Sequence, residues 1–476
     1  MKTIILLLFI VLFSCSKPTH ENPENELTIT IIPVNSGEVI SNEISASGEI
    51  RLTATPNQNF TFTKWKGVID SYENPLIIQN QNISQLIAVF EPIPDLSNEV
   101  DTYKFTNTPR ESIFAIENGG KEAHIINKSG KKLKTFTFNK KLGNDIELMP
   151  DGTLLGIFKP EDELEFSFGG YGGILSKLDT DAKPIWEYRI ANSNELAHHD
   201  LVQLPNKNIL TLVWERISKE DAQENGVDIN HDIFTEKIVE INPITDTVVW
   251  EWRSWNHIVQ ERFPEKLNYG DLSQMPNKIN INYNLQENGD FMHANAITYD
   301  TINDLIFISV NYFSEVWVID HSVSNEGTAS DSGGNFNVGG DLVYRFGNPT
   351  TYEGLDERLF FNNHHVSFST PDNKNILIFN NGSNVSQSTV FELKLPDELI
   401  LEPDLNNQPM IHWEYTNTDL YYPRISGAVR LSNGNTLICE GDYGFWEITQ
   451  EKKIVWKYNG QGQTFWRAYP IYNSIE

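Results

Sequence analysis

The feature that most constrains this chain is a three-part phrase that returns from about residue 110 onward. Its first part is a turn of Pro, Asn, Asp or Gly followed by an apolar strand. It reads MPDGTLLGIF at 149–158, LPNKNILTLV at 204–213, TINDLIFISV at 301–310, TPDNKNILIF at 370–379 and LSNGNTLICE at 431–440. The second part is a strand ending near Leu178-Asp179, Glu240-Ile241, Ile319-Asp320, Glu392-Leu393 or Glu447-Ile448. The third carries aromatic residues: IWEYRI, VVWEWRS, LVYRFGN, IHWEYTN and IVWKYNG. A weaker copy runs through residues 112–139. A unit of three or four short strands buries its apolar faces only against neighbouring copies, so this period predicts an all-β fold, a six-bladed β-propeller over residues 100–476. The recurring Trp and Tyr then read as packing between blades rather than as ligand stackers.

The beginning of the chain points to export. Lys2 precedes the apolar run Ile4 to Phe13, which is too short to span a bilayer and has the length of a signal-peptide core. The run ends in Leu12-Phe13-Ser14-Cys15, which resembles a bacterial lipobox. Residues 1–14 are therefore expected to be a lipoprotein signal peptide, with Cys15 lipidated at the mature N-terminus. The alternative is an ordinary secretory signal in which Cys15 is discarded. Residues 15–26 are polar and contain Pro, as a flexible tether does. The expected place is the cell envelope, with membrane contact through the N-terminal lipid only. The chain has two cysteines, so lipidation of Cys15 leaves Cys439 without a disulfide partner. A formal net charge of −29 excludes nucleic acid as a partner by repulsion.

Between tether and repeats, residues 27–93 alternate β-branched runs with Asn-Ser-Gly and Pro-Asn-Gln turns, which predicts a small all-β module. Gly37-Glu38-Val39, Leu52-Thr53-Ala54-Thr55-Pro56 and Trp65-Lys66-Gly67 make it similar to the divergent bacterial surface repeats. That resemblance implies a spacer or adhesion unit and no chemistry.

Chemistry is expected at one slot of the repeat. In a propeller the innermost strands line a channel, so equivalent positions converge. Counting six residues back from Pro150, Pro205, Pro371 and Ser432 gives Asn144, His199, His365 and Ser426. One position earlier, counted from Pro205 and Asp300, lie His198 and His293, with Asn295 two residues on. Of eleven histidines, five (His198, His199, His293, His364 and His365) fall in or beside this slot. A single such histidine would be a hydrogen-bonded core residue; five at matching points of three blades should meet at the channel mouth. Three imidazoles can bind zinc with an open position, or serve as nucleophile, acid and base around an anion. The residues leave both open, with group transfer favoured.

The strings HHDLVQLPNKNIL (198–210), FMHANAITYD (291–300), FSEVWVIDHS (313–322), GGDLVYRFGNPTTY (339–352), NNHHVSFS (362–369), FNNG (379–382) and ISGAVRLSNGNTLICEG (425–441) resemble the arylsulfotransferase family. The resemblance implies transfer of a sulfuryl group from a small aryl sulfate donor to a phenolic acceptor through a sulfated histidine, without cofactor or nucleotide sulfate donor. By motif, His365 matches the nucleophile and His199, with His198 beside it, a histidine that moves the phenolic proton. His293 and Asn295 match a pair that holds the sulfuryl oxygens, while His364 and Ser426 line the pocket. Two departures stand out. Asn311 occupies the place of a common arginine, so Arg345, Arg424 or Arg430 would have to reach the pocket instead. Val366 replaces a usual Asp and removes an orienting carboxylate. The rival expectations are a propeller that has kept its scaffold and binds an envelope glycan or protein, and a metal hydrolase built on His199, His293 and His365.

Overall fold

The computed structural model describes residues 27–44, 49–79, 85–104, 111–403 and 405–471. Cys15, the expected signal segment and the expected tether lie outside the described residues. Among the described residues no helix is long and apolar enough to cross a membrane. The chain divides into two compact units at Pro94 and Asp95.

The first unit is a pair of three-stranded sheets. In one, Gln85–Pro92 lies between Thr28–Ile32, to which it runs parallel, and Phe60–Gly67, to which it runs antiparallel. In the other, Glu49–Pro56 is central between Gly37–Glu43 and Leu76–Gln79. The motif residues noted in the sequence form its core. Leu52 and Ala54 face Trp65, Leu86, Ala88 and Phe90, all buried. The buried indole of Trp65 donates to the Glu73 carbonyl at 2.9 Å, which satisfies its N–H. Gly37 is required by a close approach, since a Cβ there would stand 2.4 Å from the Phe90 ring.

The second unit is all-β and propeller-like. Antiparallel runs of four or five strands follow one another, two of them joined in one eight-stranded sheet, with Phe465–Pro470, Leu142–Leu148, Glu195–Gln203, Ala294–Asp300, Asn363–Phe368 and Gly427–Arg430 as their inner strands. Each inner strand packs against the next in that order, and Gly427–Arg430 packs against Phe465–Pro470, so they form a ring. The middle strands are buried on both faces, as in Ile233–Asn242 and Leu305–Val310, which is why they read as continuous apolar runs. The outermost strands alternate instead, as in Pro184–Arg189 and Met410–Thr416.

The aromatic third phrase joins sheet to sheet, as expected. Trp186 donates its indole N–H to Asp246 Oδ1 at 2.8 Å, Trp250 to the Val323 carbonyl at 2.9 Å, and Trp413 to the Gln450 carbonyl at 2.9 Å. Trp456 donates to the Lys128 carbonyl at 2.8 Å and the Tyr344 hydroxyl to the Asn407 carbonyl at 2.5 Å. Each acceptor belongs to the following sheet. The weak first copy contributes only three strands, and the C-terminal strand Phe465–Pro470 completes its sheet by pairing with Ile113–Glu117. This closure joins residues far apart in sequence, so no local pattern announces it.

Candidate active site

The inner strands are kinked at matching points. Asn144, His199, His293, Asn362 and Ser426 all have positive φ, between 53° and 114°, which is uncommon for residues with a side chain. Register irregularities sit beside four of them, and such bulges re-aim side chains out of the alternating pattern. Asn144 and His199 pair directly between the second and third sets, so the slot counted from the turns is a structural equivalence there.

His199 heads a buried chain of three groups. Its Nδ1 lies 2.9 Å from Nδ1 of His198, whose Nε2 lies 3.0 Å from Oε2 of Glu236. Glu236 Oε1 also accepts the Ala294 N–H at 2.8 Å. The His198 ring stacks on Trp214 with centroids 3.9 Å apart. Both its nitrogens are engaged and it has no exposed surface, so it stands behind His199 rather than against a substrate as expected. Burial pushes both imidazoles well below the usual histidine range, and the charge of His293 adds to it. Burial likewise raises Glu236 well above the usual carboxylate range. Gly170 leaves room for the His199 ring, since a Cβ there would lie 2.0 Å from His199 Nε2.

His293 differs in charge. Burial works against its protonated form, but Asp290, with Oδ2 2.5 Å from Nδ1, and Glu236 outweigh it and raise its pKa. Its ring stacks on Tyr312 at 4.8 Å and meets the His199 ring edge-on at 4.8 Å. An imidazole whose charged form is favoured by its neighbours therefore faces one whose charged form is disfavoured.

The third histidine of this cluster is His364, not His365. The kink of its strand falls at Asn362, so counting back from Pro371 lands on the wrong neighbour. His364 lies within electrostatic reach of both His199 and His293 and shares the Trp466 ring with His199. Its Nδ1 is 2.9 Å from Asn381 Oδ1. Burial, aided by His293, lowers its pKa to about 3. His365 points to the next strand, with Nδ1 3.1 Å from the Ala428 carbonyl.

The amides around it are mostly committed to the backbone. Asn295 and Asn311 both donate Nδ2 to the Asn363 carbonyl, at 2.9 and 3.0 Å. Asn311 Nδ2 also stands 3.2 Å from His364 Nδ1. Asn295 Oδ1 and Asn363 Oδ1 are buried without a hydrogen-bond partner. The Ser426 hydroxyl accepts the Gly441 N–H at 3.1 Å.

Two of the three arginines expected to replace the family's cation are held by carboxylates: Arg345 forks onto Glu315 and Arg430 pairs with Glu392. Arg424 is exposed. The cation that reaches this region is Arg467, from the closing strand. It donates to Asp200 Oδ2 at 2.7 Å and to the Asn295 carbonyl at 2.8 Å. Burial opposes its charge, yet Asp200 holds its pKa above the normal value. Asp200 also accepts the Ile297 N–H at 3.0 Å, so the acid beside the paired histidines fixes strand and arginine. Val366 is a core residue; the orienting carboxylates are Glu236 and Asp290, which the motifs did not single out.

Phe168 packs edge-on against Trp214 at 5.1 Å, and Gly169 and Gly170 of its loop face His293 and His199. Phe168 and Tyr312 thus supply aromatic surface beside the imidazoles. Elsewhere, Glu117, Glu122 and His124 bring potential metal-ligand atoms within 4.8 Å of one another. Lys132 Nζ already stands 3.3 Å from His124 Nε2 there, so a protein cation takes that position.

Residues 27–94 match the divergent InlB B-repeat domain. No curated protein matches the chain by sequence. Solved structures similar to it include hydrazine synthase of Kuenenia stuttgartiensis, 13% identical over 78% of this chain and 83% of that one, with a TM-score of 0.35. A putative 6-phosphogluconolactonase of Bacteroides fragilis is 10% identical over 77% and 100%, TM-score 0.39. A periplasmic gluconolactonase of Pseudomonas aeruginosa is 9% identical over 76% and 99%, TM-score 0.38. These likenesses carry no argument about chemistry. Residues 124–465 match the arylsulfotransferase (ASST) profile, and that match, most of the chain, makes this protein a member of the arylsulfotransferase family.

Proposed function

We propose that this protein transfers a sulfuryl group from an aryl sulfate ester to a phenol through a sulfo-histidine intermediate, on a six-bladed β-propeller. The observation that carries the reading is the meeting of His199, His293 and His364 at three inner strands, with the pKa lowered at His199 and His364 and raised at His293. Transfer of this group needs a bare nitrogen as nucleophile, a proton carrier at the phenolic oxygen and positive charge at the equatorial oxygens.

The roles follow from the hydrogen bonds. Asn381 donates its amide hydrogens to the carbonyls of Tyr422 at 2.6 Å and Ile425 at 3.0 Å. Its Oδ1 is left to accept from His364 Nδ1–H, so His364 Nε2 carries the lone pair. In the first half-reaction Nε2 attacks sulfur, the S–O bond to the aryl group breaks, and the departing phenolate takes a proton from His199. In the second, the acceptor phenol returns a proton to His199 as its oxygen attacks the sulfur, and the N–S bond breaks. His293, charged through Asp290, faces the sulfuryl oxygens. The neutral Asn311 leaves that charge to His293, with Arg467 behind.

A binding propeller without chemistry is the rival reading, and the engagement of Arg345 and Arg430 by carboxylates favours it. One experiment separates them. Incubation with p-nitrophenyl sulfate, with and without phenol, followed by peptide mass mapping, should show phenol-dependent nitrophenol release and a sulfuryl adduct on His364. Absence of release and adduct across a panel of aryl sulfates would leave the binding reading. The envelope location, with a lipid on Cys15, is part of the proposal; globomycin-sensitive processing in a bacterial host would test it.

A further inference from the structure

We propose that Glu236, His198 and His199 act together as a store for a single proton, in which the carboxyl sets whether His199 Nε2 is an acid or a base. The inference rests, for its role in turnover, on the sulfuryl-transfer reading above. Its basis is geometric. Glu236 Oε2 lies 3.0 Å from His198 Nε2, and His198 Nδ1 lies 2.9 Å from His199 Nδ1. All three side chains are buried, and no other side chain lies at hydrogen-bond distance from these four atoms among the described residues. With one hydrogen per contact, the chain has two neutral-ring arrangements.

When Glu236 is ionised, His198 Nε2–H donates to it. His198 Nδ1 is then an acceptor, His199 must donate from Nδ1–H, and His199 Nε2 is bare. When Glu236 is protonated, it donates to His198 Nε2. His198 Nδ1–H then donates to His199 Nδ1, and His199 carries its hydrogen on Nε2. Adding one proton to the carboxyl therefore converts His199 from base to acid, and no imidazolium is formed in either state.

These states match what a two-step transfer demands. The donor half-reaction consumes one proton at the leaving phenolate, and the acceptor half-reaction releases one from the incoming phenol. The protonated store gives its Nε2 hydrogen to the phenolate, the two inner hydrogens each move one place along the chain, and Glu236 is left ionised. The acceptor phenol reverses the sequence, so each turnover restores the starting state. Burial favours neutral rings and a protonatable carboxyl, raising Glu236 and lowering both histidines. The titratable and charged groups facing this chain are Asp290 and His293 beside Glu236, and His293, His364 and Arg467 around His199. Glu236 and His198 are positioning residues, since only His199 meets substrate.

Glu236→Gln tests this, because Gln keeps an acceptor for the Ala294 N–H but cannot give up a proton. In the full protein labelled with ¹⁵N-histidine and ¹³C-glutamate, the His199 Nε2 signal should change from protonated to bare as the Glu236 carboxyl ionises, with neither ring passing through imidazolium. The variant should hold one tautomer throughout. A fixed His199 tautomer in the parent, or imidazolium formation, would overturn the store whether or not the protein transfers sulfuryl groups. Single-turnover bursts with donors of graded phenol acidity give the second readout. The variant should slow about 100-fold for weakly acidic phenols and only a few-fold for nitrophenol, which needs no proton to leave. An equal loss for every donor would assign Glu236 a purely structural role and overturn the proposal. A parent that gives no burst with any donor sinks the sulfuryl-transfer reading, and the tautomer measurement then decides the store alone.

Discussion

Asn381 and His364 lie 2.9 Å apart, Oδ1 to Nδ1, and two backbone carbonyls keep the amide from turning. This contact orients the imidazole that the sequence register had placed second to its neighbour. As the shorter of the two contacts at Nδ1, against 3.2 Å for Asn311 Nδ2, it favours a hydrogen on that nitrogen and leaves Nε2 free.

His364→Ala should therefore reduce aryl sulfate turnover by about 10³-fold or more, as loss of a nucleophile does. His365→Ala should cost no more than about 10-fold, through packing against Ala428. Steady-state rates of both variants with p-nitrophenyl sulfate and phenol check this. The reverse order would return the nucleophile to His365.

Asp290→Asn should move the alkaline limb of the pH–rate profile to lower pH. His293 assists as a cation, so its contribution is present below its pKa and lost above it. Asp290 raises that pKa, and removing the carboxylate lowers it. A profile of kcat/KM between pH 5 and 9 would show the shift.

Gly170→Ala places a methyl group against the His199 ring at a backbone angle of φ +83°. The ring or the loop must shift by more than 1 Å. Transfer should fall by about 10²-fold, the scale of an ångström misplacement, while thermal unfolding changes by only a few degrees. Parallel activity and circular-dichroism melts distinguish this from unfolding.

Arg467→Leu strands Asp200, with Asp145 nearby, in a buried site. Loss of one partner from a buried ion pair costs about 3–5 kcal/mol, which should appear as a lower urea midpoint.

His321 links two sheets, with Nε2 2.9 Å from Glu240 and Nδ1 2.7 Å from Asp304. Burial disfavours its charge, but the two carboxylates prevail and raise its pKa. Its stabilisation is thus complete below the unfolded histidine pKa of about 6.5 and disappears as pH rises through the higher folded value. His321→Gln should flatten that part of the stability–pH curve, measured by urea unfolding from pH 5 to 9.

The repeat was legible because each copy carries its turn, apolar strand and aromatic strand within a short window. Trp186, Trp250, Trp413 and Trp456 read correctly as packing groups, since their recurrence matched the sheets and not the histidines. The slot was legible at Asn144 and His199, where the distance from kink to turn is constant. At Asn362 the kink moves, and the register count put His365 ahead of His364. Glu236, Asp290 and Asn381 lay outside the slot and had no repeated counterpart to mark them; Asn381 fell in the FNNG string without a role assigned to it. Arg467 was hidden for another reason: its role depends on the chain's last described strand joining its first sheet.

That joining strand has a consequence for biosynthesis. Trp466, which touches the rings of His199 and His364, and Arg467 both ride on Phe465–Pro470, the segment the ribosome makes after every histidine of the cluster. Until that strand pairs with Ile113–Glu117, the rings of His199 and His364 stand without their shared Trp466 face and Asp200 without its guanidinium.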